Sequence, residues 1–251
     1  MKKLLTILIL LLAVASTYSR DLWTGTQLMD WNNNDNVEIN ASDLGTINAG
    51  DYITLTYTNA NSAQLSFTGK DSSWSWRGFA SESVANGDGT LIIYNTQPML
   101  DNMTNGIVIS GINCTLTKVE VTEGAEGDYT NKIWIGNTTL VSGWSKSQSI
   151  EKALFVNAQE NYILRVNYSI TESDPQIGLQ YSNGNDWVKL PDTENASLSG
   201  SSKDYTITSD MLTALQTYGL IVCGQNYTVT SVEVIPTYSV SITSTNGTIY
   251  W

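Results

Sequence analysis

Gly106-Ile-Val-Ile-Ser-Gly-Ile-Asn-Cys-Thr-Leu-Thr-Lys-Val-Glu-Val121 lies without a gap over Gly219-Leu-Ile-Val-Cys-Gly-Gln-Asn-Tyr-Thr-Val-Thr-Ser-Val-Glu-Val234. Register kept over such a length marks an internal repeat, and a repeat read first governs every later inference. Moving outward, the same offset carries Trp74 onto Trp187. Leu22-Trp-Thr-Gly25 answers Ile133-Trp-Ile-Gly136, and Trp31 answers Trp144. Ile53-Thr-Leu-Thr-Tyr57 answers Leu164-Arg-Val-Asn-Tyr168, and Gln64-Leu-Ser-Phe67 answers Gln176-Ile-Gly-Leu179. The 251 residues therefore hold two copies of one unit, each long enough to bury its own core. The expected division is 20–121 and 132–235. The polar, acidic, glycine-containing stretch 122–131 reads as a linker. A tail over 236–251 reads as the start of a further module.

Within a copy the hydrophobic period is two. Ile53, Leu55 and Tyr57 fall on one face and threonines on the other, and Leu116–Val121 alternates in the same way. Short β-branched runs broken by Asn-Gly, Gly-Asp-Gly and Gly-Asn specify antiparallel strands and hairpins. Met99–Met103 and Met211–Gln216 are the two segments with helical character. The expected fold is all-β: two tandem antiparallel β-sandwich domains of jelly-roll-like form.

Residues 1–19 read as a secretory signal peptide: Met-Lys-Lys, an apolar run from Leu4 to Val14, then small and polar residues. The run is short for a membrane span, so no membrane insertion is expected after cleavage. Cleavage after Ser19 is expected, with Ala15 as the alternative, placing the protein outside the cell, at its surface or in the periplasm. The formal net charge is −12, from 12 basic and 24 acidic residues, and loss of the two leader lysines makes it more negative. Such a surface repels nucleic acid and anionic lipid. Cys114 and Cys223 occupy non-equivalent places in the two copies, so the expected state is two buried free thiols, an inter-domain bridge being the alternative.

The sequence contains no histidine, which removes Ser–His–Asp and Cys–His systems and the usual zinc hydrolase sites. A glycosidase needs only two facing carboxylates. The recurring pair, Glu120 and Glu233, alternates with inward residues and reads as solvated surface. No cofactor is expected. Asp30, Asp35, Asp43 and Asp51 offer oxygen ligands to a structural Ca²⁺, but form no calcium loop and read as loop acids.

Tryptophan carries the functional signal, with 8 residues in the chain. An aromatic face stacks on the apolar face of a sugar ring, while Asn, Gln, Asp and Arg satisfy its hydroxyls. Trp23 and Trp134, each two residues before a glycine, read as structural. Trp31 and Trp144 divide evenly between core and ligand roles. Trp74, Trp76 and Trp187 lie among polar neighbours and read as ligand contacts. In Lys70-Asp-Ser-Ser-Trp-Ser-Trp-Arg-Gly78, an extended backbone would put Trp74 and Trp76 on one face and Arg77 opposite. Trp76 has no counterpart in the second copy under the repeat offset. Gln64 and Gln176 are the expected polar companions.

Leu22-Trp-Thr-Gly25, the Gln-led strands before Trp74 and Trp187, and the block Gly219–Val234 resemble β-sandwich modules found in tandem in exported Bacteroidetes-type proteins. Those modules are similar to carbohydrate-binding modules joined to glycan-degrading enzymes. The resemblance implies non-catalytic binding of a plant-type polysaccharide (β-glucan, mannan or xylan-like) by a monomeric, secreted protein. The alternatives are an adhesive or structural sandwich with a protein partner, and a glycoside hydrolase.

Overall fold

A computed structural model describes residues 18–125 and 127–237. Nearly all of the expected signal peptide and the tail from 238 onward lie outside the described residues.

The first half runs β1 (Ser19–Asp30), β2 (Val37–Asn40), α1 (Ala41–Leu44), β3 (Tyr52–Ala60), β4 (Gln64–Lys70), β5 (Trp76–Ser83), β6 (Gly87–Tyr94), α2 (Gln97–Asp101) and β7 (Gly106–Thr122). The second half runs β8 (Lys132–Leu140), β9 (Ser147–Ile150), β10 (Ile163–Ile170), β11 (Gln176–Ser182), β12 (Trp187–Lys189), β13 (Ala196–Ser197), β14 (Ser202–Thr206), α3 (Ser209–Tyr218), β15 (Leu220–Gln225) and β16 (Tyr227–Ile235). A 3₁₀ turn, Lys152–Phe155, stands where α1 stands in the first half. Among the described residues all strand pairs are antiparallel, and the fold is an all-β sandwich. The two segments with helical character form α2 and α3.

One strand ties the two layers of the first half together. The N-terminal part of β7 pairs with β4 and β2, giving a front sheet of order β5-β4-β7-β2. Its C-terminal part pairs with β3 and β1, giving a back sheet of order β6-β3-β7-β1. The crossing needs a bend, and Asn113 supplies it with φ +61°. Asparagine tolerates this left-handed region better than most residues. In the second half Asn226 (φ +65°) does the same and breaks the strand into β15 and β16. The front sheet there is β12-β11-β15-β9 and the back sheet β14-β10-β16-β8. Two residues before each asparagine stands a glycine, Gly111 or Gly224. A Cβ on Gly224 would sit 2.0 Å from the Gln176 carbonyl oxygen, so no larger residue fits.

Between the layers pack the residues that the two-residue period placed inward. Ile53, Leu55, Leu65, Phe67, Ile109, Leu116 and Val119 are fully buried, as are Leu164, Val166, Val222, Tyr227 and Val232 in the second half. Each such side chain contributes about 1.5–3 kcal/mol by leaving water. Trp23 and Trp134 are half-buried against this core, and each indole folds over the glycine two residues on. Both therefore have the structural role expected of them. Cys114 and Cys223 are buried and free. Burial raises both thiol pKa values, that of Cys223 to about 11, so neither is a reactive thiolate.

The stretch after β7 docks rather than dangles. Tyr129 packs on Gly50 and donates its hydroxyl proton to the Ala125 carbonyl, while Asp51 Oδ1 accepts from the Gly124 amide. The halves then meet edge to edge, β5 against β9 in front and β6 against β8 behind. At this seam Gln148 Nε2 donates to Glu82 Oε1 (3.2 Å), and the Thr96 hydroxyl donates to the Ile133 carbonyl. One buried cluster of apolar residues runs through both halves.

Gly224→Ala meets a fixed carbonyl in a left-handed backbone region and should destabilise by about 2–4 kcal/mol in denaturant titration. An unchanged midpoint would disprove the tight approach of β15 to β11. Burial at the seam raises the Glu82 pKa. A carboxyl whose folded pKa is raised stabilises the fold only while protonated. That contribution is full below the unfolded pKa and is lost as pH rises through the folded one. Glu82→Gln should therefore raise the melting temperature at pH 7 and leave it nearly unchanged at pH 4. An equal shift at both pH values would contradict the burial of this carboxyl.

Candidate functional site

Register decides which side chains share the outer face of the front sheets. On β4 these are Gln64, Ser66, Thr68 and Lys70, and on β5 they include Ser83, Ser81 and Trp76. On β11 they are Gln176, Gly178, Gln180 and Ser182, opposite Lys189 and Trp187 of β12. Lys70 pairs with Trp76 and Ser182 with Trp187, each the last residue of its strand with the first of the next. Trp76 and Trp187 thus occupy one and the same position in the two halves. The repeat offset had matched Trp187 with Trp74 and left Trp76 alone; hydrogen-bond register corrects this. The cause is the connecting turn, which is one residue longer in the first half, Asp71–Ser75 against Asn183–Asp186.

That turn also separates Trp74 from Trp76. Asp71 Oδ1 accepts from the amides of Ser73 (2.8 Å) and Ser75 (2.9 Å), and its backbone carbonyl accepts from the Trp74 amide. The chain curls instead of extending, and Trp74 takes φ +61° at the tip. It therefore does not share a strand face with Trp76, contrary to the extended reading. Arg77 Nε donates to Asp71 Oδ2 (2.8 Å) and braces the turn from β5. The Ser75 amide, then the Arg77 side chain and the Ser73 amide, hold the Asp71 carboxyl below its ordinary range.

Exposure sorts the tryptophans. Trp74, Trp76 and Trp187 are 65%, 56% and 61% exposed, and Trp31 is 39%. A solvated indole of this extent wants a physical reason, because large apolar side chains are otherwise drawn inward. Trp31 sits in a single 3₁₀ turn capped by Asp30, whose carboxylate accepts from Asn32 N and Asn33 Nδ2. Trp144, half-buried, covers Gly178 and borders Cys223 Sγ on the outer face of the second front sheet. It combines packing with a partly open edge on the same side as Trp187.

Polar companions surround the rings. Gln64 Nε2 donates to Ser81 Oγ (2.9 Å), while Gln176 and Gln180 line β11 half-exposed. Lys70 Nζ pairs with Glu38 (2.6 Å) and lies 6.0 Å from the Trp76 ring centroid. Sequence reasoning missed Lys70 and Lys189 because charged strand residues look like ordinary surface. It also missed Asp71, whose Asp-Ser-Ser context was the available turn signal.

Several of the acids considered for calcium or catalysis are otherwise engaged, Asp30 in its turn among them. Asp51 accepts from the Asn48 and Gly124 amides. Glu120 pairs with Lys118, which lowers its pKa, and Glu233 accepts from Asn167 Nδ2. Among the described residues no cluster of three or more His, Cys, Asp or Glu side chains is placed to hold a metal ion. No helix among them is long and apolar enough to cross a membrane.

No protein-family model and no curated protein matches the chain. Among solved structures it is similar to the Bacteroides ovatus mixed-linkage glucan utilization locus SGBP-B in complex with a mixed-linkage heptasaccharide. That similarity has a TM-score of 0.34 and 15% identity, over 72% of this chain and 48% of that one, so the chain spans about half its length. It is also similar to the N-terminal CBM22 tandem domain of Paenibacillus barcinonensis Xyn10C (TM-score 0.27, 8% identity, 85% and 86% of the two chains). A third is the PBSX exported protein XepA (TM-score 0.29, 11% identity, 86% and 86%). The exposed tryptophans, not these likenesses, carry the functional reading.

A depressed carboxyl stabilises above its unfolded pKa, and its contribution is lost as pH falls through the folded one. Acidification should therefore open the Asp71–Ser75 turn before the sheet. The amides of Ser73, Trp74 and Ser75 lose hydrogen-exchange protection while those of β4 retain it, and Asp71→Ala reproduces the loss at pH 7. Retained protection in that variant would show that Asp71 does not hold the turn.

Proposed function

We propose that the chain is a secreted, monomeric, non-catalytic binder of neutral plant-type polysaccharide, of the β-glucan, mannan or xylan-like class. Its two repeats, 20–121 and 132–235, each act as a β-sandwich binding module. The observation that carries this reading is the recurrence of a more than half-exposed indole, Trp76 and Trp187, at one register position in both halves.

The chemistry suits a sugar chain. Indole faces supply apolar stacking area at little entropic cost, and the glutamines, serines and lysines beside them meet hydroxyl groups. The strongly acidic surface disfavours polyanions such as nucleic acid. The recurring glutamates are tied to Lys118 and Asn167 on the back sheets, away from the exposed Trp74, Trp76 and Trp187 of the front sheets. That arrangement fits binding better than hydrolysis. Trp74, held at the tip of its turn, adds a second ring in the first half, with Trp31 and Trp144 as further contacts. Two sites on one chain raise avidity for a polymer above that of either alone.

Affinity gel electrophoresis through mixed-linkage β-glucan, glucomannan and arabinoxylan tests this. One polysaccharide should retard the protein, and Trp76→Ala or Trp187→Ala should each weaken retention by about tenfold, about 1.4 kcal/mol per lost stacking contact. Trp74→Ala should weaken it less. Retention that survives removal of all three rings would move the site elsewhere; none in any gel would favour an adhesive sandwich with a protein partner.

A further inference from the structure

The two front sheets are neighbours in space as well as copies in sequence. Because β5 abuts β9 and β6 abuts β8, front meets front and back meets back. The outer faces of both front sheets therefore look the same way. Read across, the layer runs β2-β7-β4-β5, then β9-β15-β11-β12. Trp76 stands at its middle, on the last strand before the seam, and Trp187 at its far edge. Four strand intervals separate them, on the order of 20 Å.

At the seam itself lies a cleft of about 320 Å³. Trp76 and Arg77 line one wall. Glu151, Lys152 and Val156, around the 3₁₀ turn after β9, line the other, with Gln216 of α3 beside them. The cleft has the composition of a sugar site: one exposed indole, one exposed aliphatic side chain, and donors and acceptors on both walls. Its formal charges balance, since Arg77 is paired with Asp71 and the lining holds one further acid, Glu151, and one further base, Lys152. A neutral ligand fits this balance better than an anion. Both halves line the cleft, so it depends on their docking.

We propose that this seam cleft is a subsite built by both halves, which joins the two front faces into one path for a single polysaccharide chain. The proposal rests on the glycan-binding reading above and adds to it a shared site in place of two independent ones. Lys152, Val156 and Gln216 become specificity-determining residues, although they lie in the other half from the indole they serve.

The test uses the full chain and the same three polysaccharide gels. Val156 is 56% exposed, so Val156→Arg blocks the cleft without disturbing the core. Carried on a chain with Trp187→Ala, so that the first face dominates, it should weaken retention about tenfold, and Lys152→Ala about threefold. Melting temperatures confirm folding, and Lys152→Ala carries the test if Val156→Arg melts early. Retention unchanged in both variants, while Trp76→Ala still abolishes it, would overturn the shared site and leave two independent ones. Failure of the parent chain to be retained by any of the three would overturn this proposal together with the reading beneath it.

Discussion

Everything else in the structure depends on a strand that must belong to two sheets at once. A β-strand pairs through both edges only while it stays extended, yet the segments 106–122 and 220–235 each serve a front and a back sheet. The bend at Asn113 and Asn226 resolves the conflict at the cost of a left-handed residue in each half. Glycines two residues earlier let the partner strand close in. From that bend follow the spacing of the layers, the alternation of buried and exposed positions, and the outward aim of the residues on β4, β5, β11 and β12.

The same constraint explains why the halves differ where they do. Core positions exchange only one apolar residue for another, as Phe67 for Leu179 or Ile107 for Leu220. The outer face of the front sheet is free of that demand. There a serine at 110 becomes Cys223 beneath Trp144, and a lysine at 70 becomes Ser182 beside Trp187. The rings persist while their polar neighbours change, a pattern that suits two related but unequal sites.

Much of the fold was legible in the sequence because period-two alternation reports directly on which side chains face inward. The repeat located β7 and its counterpart, but the bend at its Gly-x-Asn step is visible only in the backbone. The structural role of Trp23 and Trp134 followed from their glycines. What escaped was geometry that no pattern encodes. A turn longer by one residue shifted the match of Trp187 from Trp74 to Trp76, because similarity in sequence counts residues whereas strands count hydrogen bonds. The docking of the halves was hidden for a related reason: no pattern in the sequence links Glu82, Lys152 and Val156, which only the seam brings together. The stretch 122–131 had the composition of a free linker, and Tyr129 on Gly50 shows how one aromatic ring can pin such a segment.

The most direct measurement is a titration of the indole N–H signals of the ¹⁵N-labelled protein with the polysaccharide that retards it. The account requires the signals of Trp74, Trp76 and Trp187 to shift or broaden together, with smaller changes at Trp31 and Trp144, while Trp23 and Trp134 stay fixed. Movement of Trp23 and Trp134 with the outer rings unmoved would contradict it and place the ligand on the other side of the sandwich.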